Sequence, residues 1–574
     1  MKKSSIIIFI FIIFQISSLG AFNNQQKIYP IDSEVYSAME KLYILEGHAL
    51  PSNSGPWSEQ ELLQMLNRVD CSSTVSKNLY EWIKGKLSID PKTMMGEEIG
   101  MSFNFNMAIE GYLHKNTEVF NDEHFWIHGF LDRAPFFLCD WETWSTDNIY
   151  IYFEAGLMNS LGNQHNNIDG NRLYKNSFTT NIPFVTPAEI GSDADFTFPY
   201  RSFASFGAEH WNLSIGRDRL GWGSGESGNF MLGSHFIQHD FVKFTTYHER
   251  FKYTLLAAFY PPDASMGKDQ DEEIPGFSML MAHRIEFRFL KDKIGLALSE
   301  SVIYKTEQNT LNLATINPFG FFHNEYIRGM ANSLITAELD FNPFGSVDFY
   351  EQFAIDEFPL GETVPPETGA YPSAFAYMLG IKTAVPVSSY LLKTFLEFAL
   401  TDPFLYIRGL QGQTPNGYGY DAIVKSFNKP GDYKRMFLGY EYGNDVVLVN
   451  LGANLEDIGV WMLNMNVILM WHGNKRLDSP WSVYGYNGQN ELVSVLSGDV
   501  IEKTFILSLE GKVNIPKIEG LYLKAGVDYV NIVNMKSSLP TIVTYYDEDC
   551  TIYLNEEGKN QDDIQVSLGM GYTF

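Results

Sequence analysis

The last twelve residues alternate without interruption: Ile564, Val566, Leu568, Met570, Tyr572 and Phe574 share one side, and Gln565, Ser567, Gly569, Gly571 and Thr573 the other. Successive side chains of a strand point to opposite faces, so one face of this segment is greased and the other wetted. An apolar side ending in aromatics, a small and polar side, and a terminal Phe are what the closing strand of an outer-membrane β-barrel requires, which makes Tyr572 and Phe574 the candidate membrane-insertion signal. The segment Met281–Phe289 repeats the pattern, with Ile285, Phe287 and Phe289 opposite Arg284, Glu286 and Arg288. Lipid outside and a charged lumen is the natural assignment. Lys291-Asp-Lys293 then reads as a tight turn, and Ile294, Leu296, Leu298, Val302 and Tyr304 continue the lipid face. Glu300 falls on the apolar side of that alternation, which suggests a bulge or a position near the outer rim.

Before the strands the period is helical. Asp32 reads as an N-cap ahead of the stripe Val35, Met39, Leu42, Tyr43 and Leu45, which ends near Gly47. Ser58 and Glu61 form a capping box before Leu62, Leu63, Met65 and Leu66, and a third helix runs from about Thr74 to Lys86. Earlier still, Lys2 and Lys3 precede an apolar run from Ile6 to Ile16 and the small residues Ser18-Leu-Gly-Ala21, the pattern of a secretory signal peptide. The expected organisation is a signal peptide over 1–21, a periplasmic helical bundle over 22–95 and a barrel over 96–574. The fold class is thus all-β, a large antiparallel transmembrane barrel carrying a small N-terminal α-helical bundle. Its length holds roughly 18 strands of about ten residues, and about 16 would also fit.

Turn lengths orient the barrel. Periplasmic turns are short and external loops long, and the final strand must leave Phe574 on the periplasmic side. Short connections occur at Glu249–Lys252, Lys291–Lys293 and Asn342–Ser346, which places the segments about 219–239, 260–280 and 305–332 outside the cell.

Composition narrows the partners. Aromatics make up 15% of the 574 residues, as two interfacial girdles demand, and the formal net charge of −28 argues against nucleic acid. Cys71, Cys139 and Cys550 are too few and scattered for a disulfide framework or a zinc site, and no cofactor is implied. The acid clusters at 269–273 and 547–549 read as solvated loops. Outer-membrane lipid and the barrel-insertion machinery, met through the C-terminal strand, are the partners that the strand pattern itself implies.

Two loops carry candidate chemistry. In Gly216–Gly228 the glycines at 221, 223, 225 and 228 surround Trp222, with Arg217 and Arg219 close by. An aromatic face beside guanidinium groups suits sugar rings and acidic polysaccharide; a tight loop folded into the barrel mouth, its arginines paired with lumenal acids, fits the same residues. Asn317–Tyr326 is aromatic with polar interruptions, so His323 and Tyr326 either stack on carbohydrate or lie in the outer girdle. Enzyme signatures such as G-x-S-x-G and H-E-x-x-H are missing. His235 and His239 share a face only in a helix, and their context is strand and loop. Glu351, Asp356 and Glu357 could serve as a glycosidase-like pair, but lumenal structure is the favoured reading. No catalytic or metal-ligating residue is assigned.

The helical opening Tyr29-Pro-Ile-Asp32, the Gly216–Gly225 patch, the His283–Arg288 strand, the Asn317-Pro318 loop and the Glu351–Phe358 strand follow in an order that resembles the Wzi-like capsule assembly family. The patch departs from the family in keeping one Trp and lacking a Pro. The resemblance implies an 18-stranded barrel with a helical bundle at its periplasmic end, acting as a surface lectin that helps attach capsular polysaccharide. On that reading Arg217, Arg219, Trp222, His323 and Tyr326 grip an exported glycan at the cell surface, without catalysis. A porin or solute channel of the outer membrane is the alternative.

Overall fold

The computed structural model describes residues 24–50, 52–87, 90–96, 98–115, 133–159, 178–182, 194–195, 200–262, 276–306, 320–322, 331–357, 374–408, 419–425, 433–477, 479, 494–535, 541–545, 548–552 and 559–574. The signal-peptide segment and the candidates His323 and Tyr326 lie outside them.

Three helices come first: α1 (Glu34–Glu46), α2 (Glu59–Leu66) and α3 (Thr74–Leu87). The N-cap of α1 is Ser33, one residue beyond the expected Asp32: its hydroxyl accepts from the Val35 N–H, and Gly47 closes the helix with φ 80°. Ser58 caps α2 by accepting from the Glu61 N–H, but the Glu61 carboxylate turns to Lys252 on the barrel wall, so the capping box is half made. Met39, Leu42, Tyr43, Leu62, Leu66, Leu79 and Ile83 form the bundle's core.

Eighteen strands then close an antiparallel barrel. In chain order they are β1 (Ile99–His114), β2 (Phe137–Ser145), β3 (Ile149–Asn159), β4 (Ser202–Ala208), β5 (Trp211–Asp218), β6 (His239–His248), β7 (Phe251–Tyr260), β8 (Phe277–Phe289), β9 (Ile294–Thr306), β10 (Ala331–Phe344), β11 (Val347–Glu357), β12 (Ala374–Val387), β13 (Tyr390–Thr401), β14 (Val446–Asp457), β15 (Trp461–His472), β16 (Glu502–Asn514), β17 (Leu521–Met535) and β18 (Lys559–Thr573). The seam pairs β18 with β1, and the last backbone N–H, that of Phe574, donates to the Phe105 carbonyl at 2.8 Å. Closure leaves the wall without a free edge.

Connections alternate between two to six residues and sixteen or more, with all short turns at the end that carries Phe574. The helical bundle docks at that end: the Ser346 N–H donates to the Ile44 carbonyl, and Arg68 pairs with Asp292 at 2.5 Å. The alternation read from sequence sets the two faces. Leu568 and Met570 are 60% and 47% exposed on the outer surface, whereas Gln565 and Ser567 are buried within. Glu300 sits in unbroken register opposite His283, so no bulge is present; both point outward, and the imidazole reaches the carboxylate at 3.0 Å. Phe322, fully buried, stacks on His283 and covers the pair from outside.

Candidate functional site: a lumen filled from both ends

The lumen is filled by segments entering from opposite ends. The connection between α1 and α2 rises from the short-turn end, and the glycine-rich connection between β5 and β6 folds in to meet it. Gly221 and Trp222 pair antiparallel with Gly55 and Ser54, and the Gly223 N–H donates to the Asn53 carbonyl at 2.8 Å. Gly223 and Gly228 adopt φ 129° and 123°, backbone that a side chain would strain, which is how the chain turns back on itself inside the barrel. Leu220, Trp222, Phe230, Met231, Leu232 and Phe236 are then all buried. They join Tyr406, Tyr420 and Tyr440 from the connection between β13 and β14 in one apolar core inside the wall. The Tyr406 hydroxyl donates to the Phe230 carbonyl at 2.6 Å and that of Tyr420 to Met231 at 3.0 Å, satisfying buried backbone acceptors.

Inward charges on the wall are absorbed by this filling. Arg284, fully buried, grips both carboxylate oxygens of Glu338 and donates to Glu286 at 2.9 Å. Glu286 in turn accepts from the Ser52 hydroxyl at 2.6 Å and the Asn53 N–H at 3.0 Å. Glu397 cradles the turn of the other segment, accepting from the N–H groups of Glu226 and Ser227 at 2.7 and 3.0 Å. A four-membered cluster ties everything together: Lys382 and Lys393 of the wall each contact both Glu40 of α1 and Glu226 of the inward segment, at 2.5–2.8 Å. Ion pairs taken out of water need such complete partnering.

The three described sugar-binding candidates do not form one patch. Trp222 is 0% exposed, so its indole offers no face to an external glycan in this arrangement; the expected stacking role is corrected by its burial against the lumenal core. Arg219 donates to the Ser234 carbonyl at 2.8 Å and approaches Asp32 at 3.4 Å. Arg217 shares the parity of Trp211, Leu213 and Ile215 on β5 and lies on the outer face, paired with Asp240 across the strands at 2.7 and 2.8 Å. Glu351 is also on the outer face, opposite the inward Asp356, so the wall separates these acids and the glycosidase-like pairing is excluded for them. Among the described residues no group of three or more His, Cys, Asp or Glu side chains could hold a metal ion.

One feature escaped sequence reasoning. Between α1 and β14–β16 a cavity of about 430 Å³ opens at the short-turn end. Its wall is rich in asparagine, and Asn464 and Asn466 alternating with Leu463 and Met465 was the signal that could have found it.

Wall, bundle and filling together match a solved structure. The chain superposes with TM-score 0.54 on Wzi of Escherichia coli, described as an outer membrane protein involved in group 1 capsule assembly and as a carbohydrate binding β-barrel; identity is 13%, over 94% of this chain and 98% of that one. The fold is that of Wzi. OccD3 (OpdP) of Pseudomonas aeruginosa covers 83% of this chain and 91% of its own at 9% identity and TM-score 0.38, and OccAB4 of Acinetobacter baumannii gives the same TM-score and identity. No family model and no curated protein matches the sequence. The expected 18-stranded antiparallel barrel with its helical bundle therefore stands, with the Wzi fold rather than sequence identity behind it.

Proposed function

We propose that this protein is a non-enzymatic outer-membrane lectin or assembly factor that binds an exported polysaccharide through its long loops at the cell surface. The observation that carries the reading is the meeting of Trp222 and Ser54 inside the wall. A solute channel keeps its lumenal charges solvated along a path, whereas here Glu286 and Glu397 each hold an inserted segment, and Arg284 is taken up by Glu286 and Glu338 of the wall. The likeness to the carbohydrate-binding Wzi supports the choice of ligand class. At the long-loop end Phe321, two and five residues before the candidates His323 and Tyr326 in the chain, is 71% exposed, an aromatic surface of the kind that sugar rings stack upon. Arg217 and Arg219, which lie at the long-loop end of β5 and just beyond it in the chain, supply cationic donors for uronate groups.

The test is binding of refolded full-length protein to polysaccharide immobilised from the surface of its own cells. Saturable binding that falls on substituting His323 and Tyr326 together supports the reading. Stable open conductance in planar bilayers, indifferent to added glycan, together with no binding, overturns it in favour of a porin.

A further inference from the structure

The cavity against α1 is built as a binding site. Its inner wall is made by inward residues of β14 and β15, where Asn450, Asn454, Asn464 and Asn466 follow the strand alternation into one face. Asn454 donates to Asn464 at 2.5 Å. Among the described residues the side-chain oxygens of Asn450, Asn454 and Asn466 are shielded from solvent and find no hydrogen-bond partner, and Asn450 is only 2% exposed. Buried acceptors without partners are rare and need an explanation. Beside them Phe395 turns its ring into the space, lying over Gly452, where a β-carbon would stand 2.2 Å from the ring. At the mouth, Gly459 admits the Trp82 indole, whose Nε1 would sit 2.7 Å from a β-carbon there.

The charges around this space are already matched. Lys41 pairs with Glu456 at 2.7 Å, Lys512 with Glu34 at 2.8 Å, and Lys393 with Glu226 at 2.7 Å. Free hydrogen-bonding capacity therefore resides in neutral amides, next to an aromatic floor. A ligand whose hydroxyls partner these amides once their side chains turn into the space, that offers an apolar face to Phe395 and that brings no charge is a polyhydroxylated ring. We propose that this chamber binds a neutral saccharide, a short oligomer or chain end, admitted from the short-turn side where the helical bundle sits. Its volume lies within the about 300–1,000 Å³ usual for small-ligand sites. The proposal shares with the surface reading only the class of ligand, and the two fail separately, because a long immobilised polymer reports the outer loops and a trisaccharide reports the chamber.

The experiment titrates refolded full-length protein with maltotriose, mannotriose and chitotriose, and with a hyaluronan tetrasaccharide as the anionic control, by saturation-transfer NMR. At least one neutral trisaccharide is expected to bind saturably at millimolar concentration and the anionic one not. Gly452→Val, which drives Phe395 into the space, and Asn466→Leu, at a partly buried position, should each weaken that binding about tenfold or more while leaving polymer binding unchanged. Absence of binding by all three neutral sugars at about 10 mM, preference for the anionic sugar, or binding that survives both substitutions in folded protein, overturns the proposal and leaves a chamber that holds water only.

Discussion

Trp222, from the connection between two wall strands, lies directly opposite Ser54, from the connection between two helices, in an antiparallel pair inside the barrel. Two chain segments far apart in sequence thus hold each other in place, the Gly223 N–H donating to the Asn53 carbonyl at 2.8 Å beside the pair. Trp222 is fully buried, so Trp222→Ala leaves a large cavity and should cost about 3–5 kcal/mol of stability, read as a lower urea midpoint in refolded protein. Loosening should also appear as conductance in planar bilayers where the parent protein is closed. A stable, closed Trp222→Ala variant would show that the inserted segment is not what fills the lumen.

The cluster of Glu40, Glu226, Lys382 and Lys393 makes a second joint, between α1, the inward segment and the wall. Lys382 is 2% exposed, so Lys382→Met strands Glu40 and Glu226 in a poorly solvated space with one lysine between them. Breaking a buried pair of this kind costs about 3–5 kcal/mol. Faster proteolysis within α1 is the expected signature, and adding Glu226→Gln should recover part of the loss by removing the surplus charge. If the double variant is no better than the single one, the four groups are not coupled.

Which of these features the sequence displays follows from their range. Alternation in Met281–Phe289 was readable because lipid and lumen each impose one polarity on every second residue, so no partner need be known. The Ser58 cap was readable for the same local reason. The direction taken by the Gly-Trp segment was not, since it is decided by Asn53, Ser54 and Gln352, residues remote in the chain. Arg217 is a different case: its parity with Trp211 and Ile215 already placed it on the outer face, and grouping it with Arg219 ignored that signal.

That parity gives a contrast between two arginines. Arg217 pairs with Asp240 on the outer surface, where the carboxylate side chain is 52% exposed, whereas Arg284 grips Glu338 with neither group accessible. Exposed pairs contribute about 0–1 kcal/mol. Arg217→Ala should therefore leave the urea midpoint nearly unchanged, and Arg284→Ala should lower it severely because Glu338 and Glu286 lose their counter-charge. Any loss of polysaccharide binding in Arg217→Ala then reports contact at the rim rather than unfolding. Equal destabilisation by both would contradict the assignment of faces.

Glu59, the first residue of α2, gives the bundle a dependence on pH. Burial pushes its carboxyl up to about 8, with Lys27 opposing the rise and Asp90 and Glu142 adding to it. In the unfolded chain the group titrates near its ordinary value of about 4.3. Between those values the folded protein holds a proton that the unfolded chain has released, so stability from this group is full below about pH 4.3, declines as pH rises, and is lost above about 8. Glu40 acts in the other direction: burial would raise its carboxyl, but Lys382 and Lys393 hold it well below the usual range, so its contribution is present at neutral pH and is lost only in acid. The two effects occupy different windows, and above about pH 5 the change comes from Glu59. Amide protection of residues 60–66, corrected for intrinsic exchange, is therefore expected to fall between pH 5.5 and 8.5, each pKa unit being worth about 1.4 kcal/mol at most. Glu59→Gln keeps the shape, cannot ionise and should flatten that profile; a slope that persists in the variant would assign the pH dependence to another group.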